Sequence, residues 1–384
     1  MKKRSFLIGA LCGALTVLLV GIFVWPKTKE NTVVDFGMET KLTYVKALIQ
    51  SKYLYEDAID EEVLRDSLIK GYVAGLGDPY SAYYNEKETK ALRESITGEF
   101  EGIGVVIQQD IETKIMTFVT IYEDSPAEKG GFQSEDILYK VNGEDVSGQD
   151  LDKVVSKMRG KKGTEVEITV LRGEQLEEVT ATLIRDTVEE QNVSGELKEG
   201  NIGYIRIAQF DEATYGQFEK ALTELTNKGA KGFVFDVRSN PGGNLDTVCD
   251  ILDLILPEGT IVYTEGKSGK KDVISSDEQH KLEVPMAVLV NGKSASASEI
   301  FAGAIKDYKV GTIVGTTTYG KGIVQQLFPM TDGTCLKLTI SEYFTPNGKT
   351  IHQKGVEPDV EVEYTKKDNQ LEKACQIVRN EVNK

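Results

Sequence analysis

Residues 201–316 alternate between short β-type runs and longer amphipathic stretches, and this alternation constrains the fold more than any other feature of the chain. The runs IGYIRIAQF, GFVFDVR, PMAVLVNG and VGTIVGTT are rich in β-branched and aromatic residues, which is typical of strands. Helices are predicted between them, over ATYGQFEKALTELTNKG, NLDTVCDILDLIL and ASEIFAGAIKD. Strands that alternate with helices pack as layers around a common core, so the sequence predicts an α/β layered domain.

The N-terminal 26 residues have a different character. Lys2, Lys3 and Arg4 precede a run over residues 6–25 that carries no charge. At about 1.5 Å per residue such a helix spans about 30 Å, enough to cross a bilayer. Basic flanks stay in the cytoplasm, so the sequence predicts a single-pass anchor in the cytoplasmic membrane with the rest of the chain outside it. A cleavable signal peptide is the alternative, which the length of the run and the missing A-x-A site disfavour.

Charge and cysteine usage exclude several classes of function. The net charge is −16, although the N-terminal 26 residues contribute three basic residues and no acidic one. The body of the chain is therefore strongly acidic, which argues against nucleic-acid binding. The four cysteines are scattered and match neither a metal-site spacing nor a disulfide framework.

The remaining chain falls into four regions. Residues 27–96 form a linker and a helical region, in which DEEVLRDSLIKGYVAGL has apolar residues at helical spacing and GDPYS ends the pattern. Residues 97–186 contain short β-type runs and one amphipathic helix, GQDLDKVVSKMRG. The α/β core occupies residues 187–365, and a short helical tail is predicted over residues 366–384.

Three serines stand two residues apart in SASASE, where a predicted strand gives way to a predicted helix: Ser294, Ser296 and Ser298. A structural role is available, because Ser296 and Glu299 match a capping box at the start of the helix. A strand–turn–helix junction is also where nucleophilic serines are mounted, beside backbone N–H groups that stabilise an oxyanion. The two roles are compatible, and the pattern alone does not choose between them.

A serine nucleophile needs a proton acceptor, and the usual histidine is scarce in a chain that has only two. The candidate base is Lys321, which lies between two glycines at the start of a β-type run. To act it must be neutral, and lowering its pKa by about 3 units costs about 4 kcal/mol, which burial can supply. In an extended strand Gln325 shares a face with Lys321 and would hold the amine without charging it. An exposed loop charge is the alternative interpretation.

A glycine-containing turn is the candidate for a second oxyanion donor. Residues 239–243, SNPGG, directly follow a predicted buried strand, where sites in α/β sheets collect. Glycine allows the backbone to approach a ligand closely. An ordinary β-turn with Pro241 and Gly242 in its central positions is the alternative.

Four stretches occur together in one order: DVRSNPGGNLD, VLVNGKSASASEIFAGAIKD, VGTTTYGKGIVQQ and YFTPNGKTIHQKGVEPDV. In this combination the chain resembles the carboxyl-terminal processing proteases, also called tail-specific proteases, over most of its length. The resemblance implies a crotonase/ClpP-like layered core with an inserted PDZ domain, a serine–lysine mechanism, and no metal or cofactor. It places the nucleophile on Ser296, the base on Lys321 and the lysine-orienting glutamine on Gln325. It places the oxyanion donors on the backbone N–H groups of Gly242 and Ala297.

The β-rich region resembles a PDZ domain, in which EGIGVVI looks like the carboxylate-binding loop and the strand after it. The resemblance places the terminal carboxylate of a peptide at the backbone of Gly102, Ile103 and Gly104, with the peptide added as a strand beside Val105. Glu135 departs from the pattern, because glycine usually precedes the aspartate there, and this puts the local turn geometry in question. A PDZ-like spacer without a ligand is the alternative.

These features together predict a membrane-anchored serine endopeptidase that recognises proteins by accessible apolar C-terminal tails. Some relatives dimerise through the N-terminal helices or the C-terminal tail, which leaves a homodimer open. A PDZ adaptor with a degenerate protease fold is the main alternative, and the intact Ser296, Lys321 and Gln325 argue against it. A crotonase-like acyl-CoA enzyme is disfavoured by the PDZ domain and the external location. A histidine-type PDZ protease is disfavoured because neither histidine lies in a triad motif.

Overall fold

The structure is a computed structural model that describes residues 36–277, 279 and 281–384. The chain divides into two compact units, Met1–Arg65 and Asp66–Lys384. Helix α1 (Phe36–Lys52) belongs to the first unit, and helix α2 (Glu61–Ala74) begins in it. The predicted membrane segment, residues 6–25, lies outside the described residues. Within the described part of the chain, no helix is both long and apolar enough to cross a membrane.

The second unit contains the remaining regular elements. Its further helices are α3 (Glu86–Thr97), α4 (Pro126–Lys129), α5 (Leu151–Met158), α6 (Thr214–Asn227), α7 (Leu245–Asp253), α8 (Ala297–Tyr308) and α9 (Asn369–Val382). Its strands are β1 (Ala82–Tyr84), β2 (Glu99–Gly102), β3 (Val105–Gln109), β4 (Met116–Ile121), β5 (Ile137–Val141), β6 (Glu144–Asp145), β7 (Glu165–Arg172), β8 (Glu177–Ile184), β9 (Asp186–Glu189), β10 (Val193–Lys198), β11 (Ile202–Ile207), β12 (Gly232–Asp236), β13 (Gly259–Gly266), β14 (Lys271–Ser276), β15 (Met286–Val290), β16 (Thr312–Gly315), β17 (Ile323–Pro329), β18 (Cys335–Phe344) and β19 (Val360–Glu361).

The main sheet confirms the α/β layered core that the sequence predicts. Its strand order is β10-β11-β12-β15-β16-β19, with parallel pairing from β11 to β19 and an antiparallel edge strand β10. All residues of β12 and β15 are buried, as expected for strands covered on both faces. Phe235 and Val288 face the core that includes residues of α6, α7 and α8, whereas Val234 and Leu289 pack with Ala374 of α9. The predicted C-terminal helix therefore covers the second face of the sheet.

A second sheet lies beside the main one and has the order β1-β18-β13-β14, with β17 also paired to β18. Strand β18 connects the other strands of this sheet, because it pairs antiparallel with β1, β13 and β17. Strand β1 (Ala82–Tyr84) precedes the β-rich region in sequence, while β18 (Cys335–Phe344) follows it. The β-rich region is therefore an insertion into the catalytic core, and the segment before it contributes a strand to that core.

The inserted region is built on the sheet β3-β4-β5-β7-β8, with β6 paired to β5 and helix α5 packed against its core. Glu135 adopts a left-handed conformation with φ of 73°. The turn that a glycine would occupy is therefore kept with a glutamate in it. The next residue, Asp136, is buried and forms an ion pair of 2.7 Å with Arg172, which fixes the turn against β7. The departure at Glu135 changes the strain of the turn but leaves its geometry intact.

Candidate active site

Two loops meet at the carboxyl edge of the main sheet, where residues 239–243 follow β12 and residues 291–296 follow its neighbour β15. They approach each other so closely that a Cβ atom on Gly242 would lie 2.7 Å from Ser296 Cβ and 2.9 Å from the Ala297 nitrogen. Gly242 also has a φ of 101°, which other residues rarely adopt. Glycine is therefore required where the loop meets the serine.

The three serines of SASASE have different surroundings. The Ser294 hydroxyl donates to the Val237 carbonyl at 2.7 Å, and the Ser298 hydroxyl donates to the Asn240 carbonyl at 3.0 Å. Both side chains are fully buried and tie the turn and the helix start to the loop after β12. Ser296 is only half-buried and has φ of 55° and ψ of −116°, an uncommon conformation for a residue with a side chain. Strained backbone of this kind is typical of a nucleophile mounted on a sharp strand-to-helix turn.

The carboxylate of Glu299 is a buried anchor for both predicted catalytic segments. Its Oε2 accepts the backbone N–H of Ser296 at 2.9 Å and the backbone N–H of Lys321 at 2.8 Å. Its Oε1 accepts the Thr318 hydroxyl at 2.6 Å and the Gly320 N–H at 2.7 Å. The Ser296 and Lys321 nitrogens share one oxygen atom, so they can be no farther apart than the sum of their two hydrogen-bond lengths. The capping contact predicted for Glu299 is present, and the same side chain holds the loop of Lys321.

Tyr343 holds the same two residues by their carbonyl groups. Its hydroxyl contacts the carbonyl oxygen of Ser296 at 3.0 Å and also that of Lys321. The side chain is 1% exposed, and this burial raises the pKa of the Tyr343 phenol well above its usual value. The phenol therefore stays protonated and remains a donor. Together, Glu299 and Tyr343 form what is called here the backbone clamp, because they bind the N–H and the C=O groups of both Ser296 and Lys321.

The surroundings of Lys321 favour its neutral amine. Burial lowers the pKa of Lys321, and the positive charge of Lys337 lowers it further, while the carboxylates of Asp78 and Glu299 act in the opposite direction. The Lys321 Nζ atom lies 4.8 Å from the ring centroid of Tyr80. A lysine can act as a general base only when part of it is neutral near the working pH. The direction of the pKa shift and its main cause, burial, are those that the role predicted for Lys321 requires.

Gln325 lies on β17, and its amide donates to the Ile323 carbonyl at 3.5 Å and to the Thr339 hydroxyl at 3.4 Å. Within residues 36–277, 279 and 281–384, no hydrogen bond joins it to Lys321. The expectation of a shared strand face assumed an unbroken strand, whereas β17 begins only at Ile323. The ladder with β18 also shifts between Val324 and Gln325, which skips one residue of β18. The position of Gln325 relative to Lys321 therefore depends on this bulge.

The two predicted oxyanion donors differ in whether their backbone N–H group already donates to an acceptor inside its own segment. Ala297 is the first residue of α8, and an N–H at that position has no acceptor within its own helix. The N–H of Gly242 instead donates to the side-chain oxygen of Asn240 at 2.8 Å. Asn240 is buried and turns its side chain back onto the loop, so the Gly242 N–H must leave it before it can bind an oxyanion.

The predicted peptide-binding residues lie at the junction of β2 and β3. Gly102 ends β2, Val105 begins β3, and Ile103 and Gly104 connect the two strands. A small cavity of about 100 Å³ opens here and is lined by residues of this junction, β3 and α5: Ile103, Gly104, Val105, Ile107, Val155, Met158 and Arg159. A groove between a strand and a helix with an apolar floor fits an apolar side chain at the end of an added strand.

Three residues beside the predicted base were not found by sequence reasoning: Tyr80, Lys337 and Tyr343. Tyr80 belongs to GDPYS, which taken alone indicates only a break in a helix. Tyr343 lies in the motif YFTPNGK, which could have drawn attention to it. In the described part of the chain, no cluster of three or more His, Cys, Asp or Glu side chains is arranged to hold a metal ion.

A serine on a strand–helix junction of an α/β core, with a PDZ-like domain inserted ahead of it, defines the class of PDZ-containing serine peptidases. Comparison with known families agrees with this class. The pattern of peptidase family S41 matches residues 201–362, and that of the PDZ domain matches residues 117–172.

Comparison with individual proteins identifies a narrower group within this class of peptidases. The carboxy-terminal processing protease CtpA of Bacillus subtilis is 38% identical over 320 residues, which are 83% of this chain and 68% of that protein. A CtpA-like serine protease of Staphylococcus epidermidis is 38% identical over 325 residues, 84% of this chain and 65% of that protein. The solved photosystem II D1 C-terminal processing protease superposes with a TM-score of 0.51 at 28% identity, covering 90% of this chain and 98% of that one. The chain belongs to peptidase family S41, among the carboxy-terminal processing proteases.

Proposed function

We propose that this peptidase cleaves protein tails by a serine–lysine acyl-enzyme mechanism. Lys321 Nζ takes the proton from Ser296 Oγ, and the oxygen attacks the carbonyl carbon of the scissile peptide bond. The ammonium then protonates the leaving amine as the C–N bond breaks, which leaves an ester on Ser296. Lys321 next takes a proton from a water molecule, the hydroxyl attacks the ester, and the serine is restored as a carboxylate product leaves.

One observation carries this proposal: the backbone clamp binds the N–H and C=O groups of both Ser296 and Lys321. Four hydrogen bonds to two fully buried side chains, Glu299 and Tyr343, hold the nucleophile and the base on one rigid support. Burial is the main cause that lowers the pKa of Lys321, and a lower pKa favours the neutral amine that a general base requires.

The oxyanion of the tetrahedral intermediate would be bound by the N–H groups of Ala297 and Gly242. The Ala297 N–H lies at a helix N-terminus, where the backbone dipoles favour negative charge. The Gly242 N–H competes with Asn240 for this role, so the loop after β12 must release it when substrate binds. Gln325 remains the candidate for orienting the lysine amine, and this requires a small movement across the bulge of β18.

The substrates would be proteins with accessible C-terminal tails that end in apolar residues. The tail would add as a strand beside Val105, with its carboxylate at the backbone of Gly102, Ile103 and Gly104 and its last side chain in the small cavity beside α5. Anchoring through residues 6–25 would place this reaction on the outer side of the cytoplasmic membrane. Extraction of native membranes with sodium carbonate would test the anchor, because a peripheral protein is released and a membrane-spanning one is retained.

The experiment for the mechanism uses the full chain in detergent, an unstructured protein with an apolar tail, and mass spectrometry of the fragments. Ser296→Ala and Lys321→Ala are expected to abolish cleavage, and chelators to leave it unchanged. Ser298→Ala is the matched control, since it removes only a hydrogen bond to the Asn240 carbonyl and should retain cleavage. Cleavage that survives Ser296→Ala would overturn the assignment. Binding of the tail without any cleavage would favour the PDZ adaptor.

A further inference from the structure

The segment just before the PDZ domain reaches the catalytic lysine. Residues 78–81, called here the 78–81 turn, precede strand β1, which pairs with β18. We propose that Tyr80 of this turn is a positioning residue for Lys321: its ring forms one wall of the lysine site, keeps water from the amine, and stabilises the ammonium that forms when the lysine accepts a proton. This inference rests on the proposed role of Lys321 as the base.

Tyr80 is held in place by a local hydrogen-bond network rather than by chance packing. The Asp78 carboxylate accepts the Tyr80 N–H at 3.0 Å and the Ser81 hydroxyl at 2.6 Å. The Ser81 oxygen in turn accepts the Thr339 N–H of β18 at 3.1 Å. The Thr339 hydroxyl accepts a hydrogen bond from the Gln325 amide. The 78–81 turn and the predicted lysine-orienting glutamine are therefore both hydrogen-bonded to the same residue of β18. A four-residue turn fixed at both ends has little freedom to withdraw its side chain.

The ring has the geometry of a cation–π partner. Lys321 Nζ lies 4.8 Å from its centroid, inside the limit of about 6 Å for this interaction. Tyr80 therefore contacts the side-chain amine of the base, while the backbone clamp holds the N–H and C=O groups of the same residue.

Three charged groups near this amine influence the pKa of Lys321. Lys337 comes from β18, Asp78 from the 78–81 turn and Glu299 from α8, and each acts on Lys321 through its charge. Burial is the largest of the influences, and it favours the neutral amine. The π face opposes it by favouring the ammonium. The ring thus contributes in two ways: its bulk excludes water in the resting enzyme, and its face receives the positive charge in the acyl-transfer steps.

A three-variant series at Tyr80 separates the two contributions. Tyr80→Phe keeps bulk and π face, and we expect a wild-type rate and pH profile. Tyr80→Leu keeps a bulky side chain but removes the aromatic π face that stabilises the ammonium of Lys321. The acidic limb of the kcat/KM profile should therefore move to lower pH, and kcat should fall. Tyr80→Ala admits water, so the limb should move to higher pH and kcat should fall about tenfold or more at neutral pH. If Tyr80 only supported the fold, the Leu and Ala variants would lower the rate but would not move the acidic limb of the kcat/KM profile in opposite directions.

The titration of Lys321 is measured separately from activity, by the pH dependence of its acetylation with acetic anhydride, read by mass spectrometry on the full chain. Tyr139→Ala is the matched control, because it removes a ring 4.4 Å from Lys140 Nζ in the inserted region, and neither residue is among the groups that act on the pKa of Lys321. We expect it to leave the titration of Lys321 unchanged. Equal titration of Lys321 in wild type, Tyr80→Leu and Tyr80→Phe would overturn the proposal, even if Tyr80→Ala failed to fold. Cleavage that survives Lys321→Ala would instead refute the role of the lysine as base, whatever the labelling shows.

Discussion

The sharpest test of the backbone clamp is Glu299→Gln. The change keeps the shape of a fully buried side chain but replaces one acceptor oxygen with an NH₂ group. Two orientations of the amide are available. In one, the NH₂ faces the N–H groups of Ser296 and Lys321, both of which would lose their acceptor. In the other, it faces the Thr318 hydroxyl and the Gly320 N–H.

The second orientation costs less and should be adopted. The Thr318 hydroxyl can turn to accept from the NH₂, although it already accepts the Val356 N–H at 2.6 Å. The Gly320 N–H then loses its acceptor, which costs about 1–3 kcal/mol, and the Thr318 hydroxyl proton must turn away from residue 299. The two remaining bonds, to Ser296 and Lys321, lose their charge assistance and about 1 kcal/mol each. The free energy of unfolding should therefore fall by about 3–5 kcal/mol, while the folded variant keeps both catalytic segments anchored.

Chemical denaturation measures the stability, and steady-state cleavage at a temperature where the variant is folded measures the activity. We expect kcat to fall by about tenfold or less. The control is Glu224→Gln, which alters an exposed carboxylate on α6 paired at 3.7 Å with Lys228 and should change stability by less than about 0.5 kcal/mol. A Glu299→Gln variant as stable as this control would show that the four hydrogen bonds do not hold the site, and the reasoning would fail.

Three further changes have defined outcomes. Lys337→Met removes a positive charge that lowers the pKa of Lys321, so the pKa of Lys321 should rise and the acidic limb of the kcat/KM profile should move to higher pH. Lys337→Arg keeps the charge and should leave the limb in place. A shift in both variants would contradict the electrostatic cause. Tyr343→Phe removes the hydroxyl that contacts two buried carbonyls, and denaturation should show a loss of about 1–3 kcal/mol; an unchanged stability would exclude that role. Glu135→Gly relieves a left-handed glutamate and should raise the unfolding free energy by about 0.5–1 kcal/mol, whereas a loss would mean that the Glu135 side chain is needed there.

The α/β core was predictable because its signals are local. Runs such as GFVFDVR and PMAVLVNG are apolar throughout, and both became fully buried parallel strands, β12 and β15. The strand–turn–helix junction at SASASE was predictable for the same reason, and so was the capping contact of Glu299. Each of these inferences needs only residues within a few positions of one another.

The parts that sequence reasoning did not find depend on strand register. Tyr80 reaches Lys321 only because β1 pairs with β18 so that Ala82 lies opposite Lys337. The Gln325 amide donates to the Thr339 hydroxyl of β18, and the residue of β18 that is skipped in the pairing with β17 decides that Thr339 lies opposite it. Neither register nor a bulge leaves a clear trace in local periodicity, since both are decided by packing between segments far apart in the chain.

A lysine that acts as a base needs a fixed position and a lowered pKa, and this site provides the two properties through different contacts. Its backbone is fixed by Glu299 and Tyr343, which are buried and act through hydrogen bonds on N–H and C=O groups. The pKa of its side chain is lowered mainly by burial and by Lys337, and is raised by the carboxylates of Asp78 and Glu299; the proposed contribution of the Tyr80 ring adds to these. Changes at Tyr343 should therefore alter mainly stability and rate, whereas changes at Tyr80 and Lys337 should alter mainly the pH at which the enzyme works. Because Tyr80 lies directly before β1 and its ring contacts the amine, any movement of the segment that carries β1 would reach Lys321 through that ring.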